Sequence, residues 1–423
     1  MNSFKKIIEN LQNNKNIFLT GGAGVGKTTI TKEIIQYFED DAKKVAKLAS
    51  TGMAATLIGG QTLHSFLDLS IASDIKDLEK RGKLELKKKI KTLISSISLI
   101  VIDEISMVSD TLFEMITLRL NQAKFKGNLL VVGDFLQLPP VVKNFNGVKF
   151  AFESESWNSF SFEKIELTHV YRTDNKEFID LLNNVRFGIV NEKIHNQLNR
   201  YIKPISEDLS KFTFLFGKNN SSAIHNQRQL DFIENELFIK EAQIIIHKKA
   251  TKEYEVERFL DDARIEKELH LKIGAPILFT RNAWNYFNGE RGVIVKIEND
   301  VISIEKSNKR VVKLEVTVQS REKWVEKTID GKKEMIEEPL FSVYQFPIKL
   351  AFAITIHKSQ GMSIEDLIIE TNEIFAPSQF YVALSRSSNP LRLNLIAPRV
   401  QWYELAFVNE RAMEFVRGKN EIF

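Results

Sequence analysis

The stretch FLTGGAGVGKTTITKEII, residues 18–35, decides the fold. A short apolar run, NIFLT, ends in a glycine-rich turn. A helix then opens at Lys27 and Thr28, with Ile30, Ile34, Ile35 and Phe38 recurring near i, i+4 and i+8. Gly21 to Thr28 fits the pattern G-x-x-x-x-G-K-[ST], in which glycines let backbone N–H groups face phosphate oxygens. That cradle would comprise Gly21, Gly22, Ala23, Gly24, Val25, Gly26, Lys27, Thr28 and Thr29. Lys27 reaches the β- and γ-phosphates, and the Thr28 hydroxyl ligates Mg²⁺. A chance glycine turn would not be flanked by the strand and helix that the mechanism requires. The signal for nucleoside triphosphate binding is strong, and for any particular reaction it is weak.

Working outward, the first 170 or so residues alternate helices with apolar strands: NIFLT, KVAKLAS, SLIVIDE and NLLVVGD. Uninterrupted apolar strands between helices indicate a parallel sheet buried on both faces, whose ligands bind at the carboxyl ends of the strands. Gly21, Asp103 and Asp134 sit at or just past such ends. A second alternating block starts near Thr173, where EFIDLLNNVRFG reads as an amphipathic helix stopped by Gly188. From about Ile244 the texture changes. GAPILFTRN, RGVIVKIEND, VISIEKS and RVVKLEVTVQ are short strands between turn signals, as in a small antiparallel barrel, and REKWVEKTIDGKKEMIEEP is a charged hairpin. The α/β pattern returns near Tyr344. The charged segment 68–93 reads as a solvated helical excursion, or more sharply as an insertion that touches a partner.

Composition is ordinary for a globular chain. At 423 residues, 43% hydrophobic and 27% charged, the chain has room for two or three domains. The absence of cysteine excludes disulfides and thiol nucleophiles and fits a reducing compartment. MNSFKKIIENLQNN lacks the apolar run of a signal peptide, and no run of about 18 apolar residues exists to span a membrane. The net charge of +4 permits nucleic-acid binding without arguing for it. The 30 Phe read as a coding bias.

In LIVIDE, Asp103 is placed to hold the metal and Glu104 to orient and deprotonate an attacking water. In VVGDFLQLPPV, 131–141, Gln137 is placed to reach the γ-phosphate, although the same residues also make an ordinary strand exit.

The P-loop, DEISM, GDFLQLPPV, VYRTD, TIHKSQGMS and YVALSRS occur in this order, and together they resemble a superfamily-one DNA helicase of the 5′-to-3′ subclass. The PIF (petite integration frequency) helicases resemble the chain best. EISMVSDTLFEMITLRL, 104–120, resembles their signature, and the resemblance runs from Ile17 to about Leu395. It implies an α/β fold: two RecA-like P-loop domains, with a small wedge insertion in the first and a Src-homology-like β-barrel insertion in the second. The expected bounds are 1–172 with the wedge at 68–93, then 173–246 with 341–423, and the barrel at 247–340.

The resemblance makes Arg172 and Arg386 arginine fingers and places Gln360 and Gly361 at the nucleotide. Thr51, Gly52, His64, Ser65 and Phe66 would touch DNA, as would Arg281, Asn282, His357 and Lys358. Phe66 reads equally as core, and Trp284, Tyr286 and Phe287 could be barrel core. For the adenine-reading glutamine of the superfamily, Gln12 is the only candidate before the P-loop. The implied protein is a cytoplasmic, monomeric ATP- and Mg²⁺-dependent 5′-to-3′ motor on single-stranded DNA and its junctions with duplex. Two other readings stand beside it: the helicase subunit of a recombination nuclease or conjugative system, and an NTP-dependent remodeller of RNA or DNA.

Overall fold

The computed structural model describes residues 3–69, 72–140, 147, 149–204, 211–248, 251–263, 265–281, 283–286, 290–306, 308–329 and 332–418. Two compact units divide the chain. Unit 1 holds Met1–Ile189, Ala376–Tyr381 and Ala406–Phe423, and unit 2 holds Val190–Phe375 and Val382–Leu405. The chain therefore passes from one unit to the other inside the short helix Gln379–Leu384.

Unit 1 is built on six strands: β1 (Ile17–Thr20), β2 (Val45–Ala49), β3 (Gln61–Thr62), β4 (Leu99–Asp103), β5 (Asn128–Val132) and β6 (Glu163–Glu166). They lie in the order β3-β2-β4-β5-β1-β6, every neighbour parallel. The three central runs β1, β4 and β5 are buried at every position, as their unbroken apolar sequences demand. Because all strands run one way, Gly21, Asp103 and Gly133 emerge at the same edge of the sheet. Aromatic packing closes one side: Phe18, Phe135, Phe152, Trp157 and Phe415 meet in pairwise ring contacts, with Phe152 stacked on Phe415 at 4.1 Å. The phenylalanines that looked like coding bias thus fill a core, and Phe415 ties the C-terminal helix Glu410–Arg417 to it.

The excursion at 68–93 carries the short helix Ile75–Lys80 and enters the helix Lys88–Ser95. One buried side chain anchors it. Arg119, 1% exposed on the helix Asp110–Gln122, gives its guanidinium to four backbone carbonyls. Its Nε donates to Leu67 O at 3.1 Å, Nη1 to Leu84 O at 2.8 Å, and Nη2 to Asp68 O at 3.4 Å and Lys83 O at 2.6 Å. A planar fork of five donors suits this arrangement, and one residue ties the start of the excursion to its middle.

Gly60 marks another tight point. A Cβ there would stand 2.0 Å from the carbonyl oxygen of Lys47 on β2, so the backbones approach as only glycine allows. Gly60→Ala should cost about 1–3 kcal/mol through overpacking, seen as a lower melting temperature in differential scanning fluorimetry; an unchanged melting temperature would contradict it.

Unit 2 contains a parallel sheet in the order Ala353–Thr355, Thr213–Phe216, Leu367–Ile369, Leu393–Leu395. Between its parts lies a five-stranded antiparallel sheet through Pro276–Phe279, Arg291–Ile297, Val301–Lys306 and Val311–Glu315, closed at one edge by Ile348–Leu350. The charged hairpin pairs Thr317–Ile329 with Lys332–Gln345. Tyr286 stacks on Phe279 at 4.3 Å inside the antiparallel core, whereas Trp284 is 93% exposed. Asn282 and Phe287 lie outside the described residues. Among the described residues no helix is long and apolar enough to cross a membrane.

Candidate nucleotide and nucleic-acid site

The glycine-rich turn leaves β1 with Gly21, Gly24 and Gly26 all at positive φ (140°, 76° and 84°), which frees the loop to curl around an anion. The helix Lys27–Asp40 starts directly after it. Lys27 Nζ donates to Gly21 O at 2.7 Å and Gly22 O at 2.8 Å, which holds its ammonium in the mouth of the loop. Burial lowers the Lys27 pKa, against the opposing pull of Asp134, Glu104 and Asp103.

Beside it stand the two acids. Asp103 is buried at the end of β4, and burial together with the neighbouring Glu104 raises its pKa from the usual carboxylate range to about 7. Its carboxylate accepts the Glu104 N–H at 2.8 Å. Glu104 itself lies in the left-handed region, φ 52° and ψ 48°, an uncommon place for a residue with a side chain. A buried carboxyl crowded by a second one is a cation-seeking arrangement.

Past β5, Asp134 is fully buried and accepts from Leu136 N at 3.1 Å and Gln137 Nε2 at 3.4 Å. Arg186, 5% exposed, neutralises it with a bidentate pair, Nε to Oδ2 at 3.0 Å and Nη2 to Oδ1 at 2.9 Å. Arg172 lies against the cradle: a Cβ at Gly24 would stand 2.8 Å from its own Cβ, and Tyr171 N donates to Gly24 O at 2.8 Å. Unit 1 thus gathers the loop, Asp103, Glu104, Gln137 and the backbone of Arg172 at one sheet edge. In unit 2, Arg386 is buried; its Nε donates to Val382 O at 2.9 Å, Nη2 to Ser385 Oγ at 2.7 Å and Nη1 to Ser359 O at 3.4 Å, beside Gln360.

Residues 1–196 match the PIF1-like helicase family. The ATP-dependent DNA helicase Pif1 of Campylobacter jejuni is 40% identical over 96% of this chain and 95% of its own. The chain belongs to the PIF1-like helicase family. Its fold agrees: Pif1 from Bacteroides sp in complex with ADP-AlF4 superposes with a TM-score of 0.82 at 28% identity, covering 99% of this chain and 96% of that one. Bacteroides Pif1 bound to ssDNA gives a TM-score of 0.66 at 29% identity, with coverage of 99% and 96%.

The residues that the family resemblance assigned to DNA fall in both units. In unit 1, Thr51 and Gly52 begin a short helix and His64 and Ser65 lie half-buried on the turn Leu63–Phe66, whose start is capped by Thr62. Phe66 is 9% exposed and packed inward. In unit 2, His357 and Lys358 occupy a single 3₁₀ turn with Lys358 exposed, and half-buried Arg281 donates to Val318 O at 3.1 Å.

Three residues at the PIF1-like site escaped the sequence reading. Arg186 ends the helix Lys176–Arg186, and nothing local marks its tie to Asp134. Tyr171, 73% exposed, sets its ring against Gly26, with His169 edge-on at 4.5 Å. Tyr381 accepts a hydrogen bond from Ala23 N at 2.8 Å. Tyr171 and Tyr381 stand inside motifs read for their arginines, so the signal was present and went unused.

Proposed function

We propose that this chain couples Mg²⁺-dependent ATP hydrolysis to 5′-to-3′ movement along single-stranded DNA, opening duplex or structured DNA ahead of it. As a member of the PIF1-like helicase family it is an ATP-dependent DNA helicase; direction, metal and residue roles are our reading. The observation that carries it is the phosphate cradle with a half-buried lysine beside buried Asp103 and half-buried Glu104. Lys27 exchanges the carbonyls of Gly21 and Gly22 for phosphate oxygens, and the loop amides from Gly21 to Thr29, apart from that of Ala23, take the rest. Thr28 and Asp103 would hold Mg²⁺, which when bound offsets phosphate charge and relieves the crowding of Asp103 and Glu104. Glu104 accepts the proton of the attacking water. Gln137, kept in place by Asp134, orients that water or the γ-phosphate. Arg172 and Arg386 answer the charge that develops in transfer, and Gln360 and Gly361 complete the nucleotide contacts. Tyr171 offers an exposed ring at the cradle on which a base can stack.

For DNA, Thr51, Gly52, His64, Ser65, Arg281, His357 and Lys358 supply backbone contacts. Such contacts imply low sequence preference and affinity that falls steeply with salt. The decisive experiment is a strand-displacement assay with 5′-tailed and 3′-tailed duplexes. Unwinding of the 5′-tailed substrate alone is expected; unwinding from the 3′ tail alone would sink the direction.

A further inference from the structure

A glycine-rich loop has little conformational preference of its own, so the cradle depends on ties from outside. The two bonds from Lys27 are needed for phosphate. Among the described residues, the segment after β6 contributes one tie through Tyr171 N–H, and another comes from 358 residues away, where the Tyr381 hydroxyl accepts from the Ala23 amide. Tyr381 is 3% exposed, so its ring is fixed by packing and its hydroxyl has a defined address. Gly22 is wedged beside it: a Cβ there would meet the Tyr381 hydroxyl at 3.2 Å and Arg186 Cδ at 3.8 Å. Behind this contact lies a cavity of about 150 Å³ lined by Gly22, Ala23, Thr168, Asn183, Arg186 and Tyr381 among others, so the loop has room to retreat if the tie is lost.

We propose that Tyr381 is a positioning residue for ATP turnover, its hydroxyl holding the first turn of the cradle where the phosphates must lie to react. The inference rests on the nucleotide reading of the P-loop. Removing the hydroxyl leaves every phosphate-binding group in the chain, so nucleotide still binds. It orphans the Ala23 amide and lets the turn shift toward the cavity, which misplaces the reacting phosphate.

The test is Tyr381→Phe in the full chain, assayed as single-stranded-DNA-stimulated ATPase beside titration with a fluorescent ADP analogue. The expected result is a kcat lower by about tenfold or more with KM and ADP affinity within about threefold, a split that a general loss of structure would not give. Amide exchange in the peptide holding Ala23 should be faster in the same variant, a readout that needs no activity. A kcat within about twofold of the native chain overturns the proposal, and so does a loss of ADP affinity that matches the loss of kcat. Lys27→Ala runs in parallel: if it still turns over ATP at the native rate, the nucleotide reading of the loop has failed, which is a different result from a silent Tyr381→Phe.

Discussion

Glu104→Gln should bind ATP as the native chain does and hydrolyse it about 10²- to 10⁴-fold more slowly, the range lost when a general base is removed. The substitution keeps the size of the side chain and the backbone bond from Glu104 N to Asp103. It removes only the group that can take a proton. A second effect follows from the same charge. Asp103 has a folded-state pKa raised to about 7 by burial and by Glu104, against 3.8 for an exposed aspartate. Between those values the folded chain binds more protons than the unfolded chain, so stability falls as pH rises through that window. Neutralising Glu104 lessens the shift. Without nucleotide or metal, the variant should therefore melt above the native chain at pH 8 and converge on it near pH 4. Native hydrolysis rates in Glu104→Gln would refute the base assignment; identical melting at pH 8 would refute the electrostatic one.

What the sequence disclosed follows from what is local. β1, β4 and β5 are apolar runs, and all three were read as buried parallel strands. β3 and β6 went unread because they are edge strands; Glu163–Glu166 is EKIE, with a single buried position. The antiparallel strands of unit 2 were legible from the turn signals between them; Val311–Glu315 also alternates, whereas Pro276–Phe279 is buried throughout. In one loop Trp284 is exposed and Tyr286 is core, and composition could not have separated them. At the site, the P-loop and the acids announce themselves by spacing along one strand and one turn. The Arg186–Asp134 pair spans 52 residues and the Tyr381–Ala23 bond 358. Such ties exist only once the sheet has gathered its ends, and no periodicity encodes them. The Arg119 network was hidden likewise, since its acceptors are backbone carbonyls, which carry no residue identity.

That network supports the other large prediction. Arg119→Met keeps the apolar stem and deletes the fork, so the carbonyls of Leu67, Asp68 and Lys83 lose the donors that now reach them, while Leu84 O keeps the donor Gln122 Nε2. At about 1–3 kcal/mol for each buried acceptor left unpaired, and with water relieving part of it, the loss is about 3–5 kcal/mol. For a domain of this size that lowers melting by roughly 10 °C. The ion pairs Lys83–Asp68 and Lys87–Asp68 are half-exposed and cannot hold the excursion alone. Limited proteolysis should then cut within 68–93, where the native chain resists. Arg119 bonds to this excursion at 67–68 and 83–84 and to Gln122, and to none of the residues proposed for nucleotide. Strand separation should accordingly fall much further than DNA-stimulated ATPase, measured below the melting range of both proteins. Equal losses would mean that the excursion serves hydrolysis itself; intact unwinding together with new cleavage in 68–93 would mean that its anchorage is irrelevant to opening the duplex.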